Sequence, residues 1–173
     1  MPRYRLLPWL LLPLLLGGCI GYPDTVQPVS NFDLQRYLGT WYEVARLDHR
    51  FERGLSRVSA DYALNADGTV RVRNRGFDAA ASEWQEAIGK ARFVDDPTSG
   101  YLKVSFFGPF YGSYVVFELD PQYRYAFISG PDTSYLWLLS RTPTVDPAVY
   151  ARFLELSAAA GFDTAALIRV AQQ

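Results

Sequence analysis

The feature that most limits the fold is a period of two, repeated in short runs that turn signals close. Val70-Arg71-Val72-Arg73-Asn74-Arg75 alternates strictly, with three Arg on one side and Val, Val and Asn on the other. An extended strand puts successive side chains on opposite faces, so this run is a half-buried strand. Ala66-Asp67-Gly68 just before it is a hairpin signal, so 57–65 and 69–77 pair as antiparallel neighbours. Tyr101-Leu102-Lys103-Val104-Ser105-Phe106 repeats the pattern, with Leu102, Val104 and Phe106 inward because Lys103 must face water. Ala87, Gly89, Ala91 and Phe93 alternate with Ile88, Lys90 and Arg92. The spacing predicts about eight strands, at 40–48, 57–65, 69–78, 83–94, 100–107, 112–120, 123–130 and 134–141. All connections are short, so neighbours in sequence are neighbours in space. That favours an all-β, up-and-down antiparallel meander, in a barrel or a sandwich, over a Greek key. One α-helix follows outside it, capped by Asp146, started by Pro147 and ended by Gly161. Its buried stripe is Val149, Phe153, Leu156 and Ala160. Leu167 to Val170 forms a last short strand.

Composition then excludes several function classes. Lys+Arg 17 against Asp+Glu 18 leaves a net charge of -1, which argues against nucleic acid as a partner. A single Cys and a single His weaken any disulfide-framework, metal-cluster or Cys/His catalytic reading. No G-x-S-x-G nucleophile motif occurs and no cofactor is implied. The reading is non-enzymatic, with no catalytic residue assigned. His49 stands alone in the first loop after strand one. Glu43 is the odd residue: alternation with Trp41 and Ala45 points it inward. A buried carboxylate must find a donor or take up a proton, and Arg141, Asn74 or a tyrosine could serve.

Residues 1–18, MPRYRLLPWLLLPLLLGG, have a basic start at Arg3 and Arg5 and an apolar run from Leu6 to Leu16. The run is short for a membrane span, and the layout is that of a signal peptide. Residues 19–30 are a Pro-rich tether and 31–173 the barrel domain.

A small closed barrel is either filled by side chains or holds one small ligand. Ala45, Ala60, Ala87, Gly89 and Ala91 are small inward positions that leave room. Tyr62, Val72, Asn74, Val104, Phe106, Tyr125, Phe127, Tyr135 and Trp137 complete the candidate lining. A packed core in which Ala faces Phe fits the same pattern.

Leu16-Gly17-Gly18-Cys19 resembles a lipobox, which implies acylation of Cys19 and, with Ile20 rather than Asp next, the outer membrane. Asn31 to Arg46, with Gly39-Thr40-Trp41 at its centre, resembles the opening of the lipocalin family. Gly130-Pro131-Asp132 with Tyr135 to Pro143 resembles that family's last-strand motif. Gly108-Pro109-Phe110-Tyr111-Gly112 resembles its bacterial lipoprotein branch, which is similar to apolipoprotein D. The resemblance implies an eight-stranded antiparallel up-and-down β-barrel with the C-terminal helix packed outside, closed at the end where Trp41 sits, with Arg141 lying across the indole and Gly39, Trp41 and Arg141 structural. The mouth is then formed by 48–56, 78–82, 108–111 and 131–133. Phe107, Phe110 and Tyr111 gather at the third of these, as a gate, a membrane contact or a contact with a second copy in a homodimer. The resemblance also implies a fatty acid or lysophospholipid as ligand. The chain is expected to store or move it for envelope maintenance, with the barrel facing the periplasm. A structural lipoprotein docking a protein through its aromatic mouth is the alternative.

Overall fold

The computed structural model describes residues 20–173; the signal segment and Cys19 lie outside the described residues. The predicted barrel is present. Its strands are β1 Gly39–Arg46, β2 Leu55–Leu64, β3 Val70–Asp78, β4 Glu83–Phe93, β5 Tyr101–Phe107, β6 Phe110–Leu119, β7 Tyr125–Ser129 and β8 Leu136–Ser140. Each pairs antiparallel with the next, and β1 pairs with both β8 and β2, which closes the ring. A short helix, α1 (Leu34–Tyr37), precedes β1, and α2 (Pro147–Ala159) follows β8. The Asp146 carboxylate accepts from Ala148 N at 2.8 Å, the predicted cap.

Two apolar layers result. One fills the lower barrel and includes Trp41, Tyr62, Val72, Ala91, Leu102, Val116, Ala126 and Ile128. The other lies outside the wall, where Val44, Ala45, Val115, Phe127, Leu136 and Leu138 meet α2. Phe153 is the centre of that outer layer, fully buried with its ring 5.0 Å from Phe127. Burying such a ring stabilises by about 1.5–3 kcal/mol, which is what holds the helix on the wall.

The β1–β2 seam is split. Only Gly39–Tyr42 pair with Ser59–Tyr62. Above them β9 (Ile168–Arg169) pairs with Ala45 and Arg46 instead. Arg57 N donates to Ala171 O at 2.6 Å, and Gln172 Nε2 donates to Glu43 O at 2.6 Å and Val58 O at 2.9 Å. The C-terminal segment thus stitches the gap from both sides.

Residues 20–30 run down the outer wall rather than hanging free. Gly21 N donates to Ser113 Oγ at 2.9 Å, Val26 is buried under α2, and Val29 N donates to Val116 O at 2.9 Å.

Candidate functional site

The base is closed by side chain-to-backbone bonds. Trp41 Nε1 donates to Tyr37 O at 2.8 Å, and the Arg141 guanidinium lies 4.0 Å over the indole. The same guanidinium donates to Arg36 O at 2.8 Å, Leu38 O at 2.9 Å and Thr40 O at 2.9 Å. Gly39 has φ +92, and a Cβ there would come within 3.5 Å of Arg141 Nη1. That distance is ordinary contact, so it is the left-handed backbone that favours glycine. Above the indole, Tyr37, Tyr62 and Tyr114 join hydroxyls, at 2.6 Å for Tyr37–Tyr114 and 3.0 Å for Tyr62–Tyr114. Burial pushes all three phenols upward, so this floor is uncharged.

Most of the expected lining is inside. Ala60, Tyr62, Val72 and Ala91 are buried in the inner layer, and Val104, Phe106 and Trp137 pack against it from the walls. Asn74 sits on the same face of β3, opposite Ala87 of β4, and Asn74 Oδ1 has no protein partner. Ala87 remains exposed, so the upper inner wall is open to the mouth.

Four expectations fail on geometry, at Ala45, Phe127, Tyr125 and Gly89. Ala45 faces outward, because Val44 forms a bulge in β1: Glu43 pairs with Leu139, yet Ala45 pairs with Leu138. The extra residue reverses the alternation, sending Ala45 under α2 and Arg46 inward. Phe127 also faces α2, with Tyr125 beside it, while the smaller Ala126 and Ile128 point in. Both faces of β7 are covered, so its apolar run carries no alternation to decide between them. Gly89 leaves no free space either: a Cβ there would lie 2.8 Å from the Phe106 ring, which fills the position. Tyr135 sits just before β8, at the mouth, stacked with Trp137 at 6.2 Å and His49 at 5.9 Å.

The bulge creates a polar cluster that alternation missed. Arg46, 1% exposed, donates from Nη1 to Glu43 Oε1 at 2.7 Å and from Nη2 to Glu52 O at 2.7 Å. Glu52 accepts from Trp137 Nε1 at 3.1 Å and bonds to the Glu43 carboxyl. Burial, then the neighbouring Glu52, holds Glu43 well above the usual carboxylate range, and burial raises Glu52 as well. Arg46 offsets part of this for both carboxyls, through its 2.7 Å pair with Glu43 and its charge near Glu52. Burial, reinforced by Arg46, holds His49 down to about 4, so it is neutral. The cluster pins the loop between β1 and β2 over the barrel. The signal was a polar residue at every third position: Glu43, Arg46, His49, Glu52. Of the partners considered for Glu43, neither Arg141 nor Asn74 reaches it; Arg141 is at the base.

At the mouth, Gly108-Pro109 forms a tight turn between Phe107 and Phe110, which pair across β5 and β6. Both rings are exposed. Tyr111 instead folds back, its hydroxyl accepting from Arg92 Nη2 at 2.6 Å.

The family model for a lipocalin-like domain matches residues 32–172. The outer membrane lipoprotein Blc of Vibrio cholerae is 62% identical over 165 residues, covering 95% of this chain and 96% of that protein. Bovine apolipoprotein D is 31% identical over 140 residues, covering 76% of this chain and 70% of its own. Among solved structures, insecticyanin from the tobacco hornworm shares the fold, with TM-score 0.69 and 21% identity, over 87% of this chain and 86% of its own.

Proposed function

The chain belongs to the lipocalin family and is an outer-membrane lipoprotein, and from that premise we propose that it binds a single-chain lipid in its barrel, as a carrier and not as an enzyme. The observation that carries this reading is the asymmetry of the interior. The lower half is sealed and uncharged, ending in the bonded tyrosines, while the upper wall stays exposed at Ala87 and is apolar at Val104 and Phe106. An acyl chain fits such walls, because an apolar surface gains by leaving water. A fatty acid or lysophospholipid is the ligand class, held for storage or transport in envelope maintenance, with the barrel in the periplasm. Asn74 Oδ1 supplies an acceptor for a hydroxyl or amine near the mouth.

The test is native mass spectrometry of the lipidated protein as purified from membranes, with a fluorescent fatty acid titration beside it. A co-purifying lipid displaced by the probe supports the proposal. A protein that carries no lipid and takes up no probe refutes it. That result favours the second reading, a structural lipoprotein with a filled barrel, for which the Phe106 ring seated on Gly89 is the supporting contact.

A further inference from the structure

The tip of the β5–β6 hairpin and the N-terminal segment meet on one side of the mouth. From this juxtaposition we infer that Phe107 and Phe110 are a membrane wedge, dipping into the bilayer that holds acylated Cys19. The inference rests on the lipoprotein reading and adds an orientation to it: the mouth opens toward the lipid surface.

The first observation is exposure. Phe107 is 82% exposed and Phe110 is 55% exposed, paired across a two-residue turn at the outermost point of the hairpin. Neighbouring Tyr111 is drawn back onto the wall by Arg92, so the two phenylalanines project alone. Apolar rings left in water at a projecting tip mark a contact surface.

The second is the path of the chain. Gly21 is bonded to Ser113, which lies three residues along β6 from Phe110, a distance of about 10 Å. Cys19 is two residues before Gly21 and reaches at most about 7 Å from it. The segment is thereby held at Gly21 on the wall below the tip, on the mouth side, and from there it descends to the base. Ile20, between them, is also exposed. Acyl chains leaving this point bring the hairpin tip to the membrane before any other loop on that wall.

The third is charge. Arg92 and Lys103 lie on the outer wall behind the tip, both near the Tyr111 ring, and neither is in an ion pair among the described residues. Cations set back from apolar rings match a bilayer, whose anionic headgroups lie outside its acyl region. A second copy fits less well. Two rings on a convex tip offer far less than the roughly 1,200–2,000 Å² of a stable interface, whereas a fluid bilayer closes around a convex probe.

Cys19 is the one cysteine of the chain, so its acylation leaves an added cysteine as the single labelling site. Phe107→Cys, Phe110→Cys and, at the base, Gln122→Cys are each labelled with a nitroxide in the lipidated protein. The vesicles are phosphatidylethanolamine with phosphatidylglycerol. The expected result is a several-fold loss of collisions with an aqueous nickel complex at positions 107 and 110, a gain with oxygen, and no change at 122. Labels at 107 and 110 as accessible to nickel as the label at 122 overturn the inference. So does shielding that appears without vesicles and grows with protein concentration, which identifies a second copy. A fatty acid titration of the same proteins separates the two proposals. Binding with an aqueous tip overturns the wedge alone, and a shielded tip without binding overturns the carrier reading alone.

Discussion

Arg141→Ala isolates the closure of the base. The guanidinium makes a cation–π contact with Trp41 at 4.0 Å and donates to three carbonyls at 2.8–2.9 Å. Water replaces it at the exposed Arg36 and Thr40 carbonyls, so their loss contributes little. The Leu38 carbonyl is partly buried, and leaving it unpaired costs about 1–3 kcal/mol. The indole contact adds about 1–2 kcal/mol. The sum, about 2–5 kcal/mol, lowers the melting temperature of a domain this size by roughly 4–20 °C. Arg141→Lys retains charge but not the planar fork, and recovers less than half of the loss. Circular dichroism melts measure the shift. A fluorescent fatty acid titration below the transition should give an unchanged affinity, since the base lies at the opposite end from the mouth. A variant with a parental melting temperature and weakened lipid binding would refute the reasoning and put Arg141 in the site.

His49, held down to about 4 by burial, is neutral in the fold and readily protonated when unfolded. The stability it contributes is complete above about pH 6.5 and lost as pH falls toward 4, by up to about 3 kcal/mol. Urea titrations of the parent and His49→Gln should diverge across that window; parallel curves contradict the burial argument. Glu43 has the opposite sign. Its raised pKa makes stability drain as pH climbs above the ordinary carboxylate range, and Glu43→Gln should flatten that limb. Gly89→Ala presses a methyl to within 2.8 Å of Phe106 and should destabilise by about 1–3 kcal/mol, read by thermal melts. Ala87→Trp, on the exposed inner wall, should leave the melting temperature within a few degrees while weakening fatty acid binding. Tyr114→Phe removes the hydroxyl shared by Tyr37 and Tyr62 and should cost about 1–3 kcal/mol in the same melts.

The barrel was legible because one face of most strands meets water. In Val70–Arg75 and Tyr101–Phe106 the charges declare the outer face, and the structure agrees at each inner position. Legibility ended where that contrast ended. β7 is apolar on both sides, so Phe127 and Ala126 could not be told apart without knowing which wall α2 covers. In β1 the contrast exists but a one-residue bulge shifts it, and Ala45 and Arg46 exchange faces. Glu43 could be singled out as a buried acid from sequence. Its partners could not, because strict alternation puts Arg46 on the opposite face from Glu43 and Glu52 falls in the loop 48–56. Aromatic residues at the mouth were recognisable as a group, but only coordinates separate Phe107 and Phe110, which project, from Tyr111, which does not.

A closed ring of strands normally has a fixed girth, since widening it means breaking a full ladder of bonds. Here the backbones on the two sides of the seam above Tyr42 pair with a third segment, not with each other. The Gln172 side chain and the short pairing around Ile168 and Arg169 act as a gusset let into a seam. The girth of the upper half is therefore set by a few bonds to that insert, and that of the lower half by the four-residue ladder and the tyrosine floor.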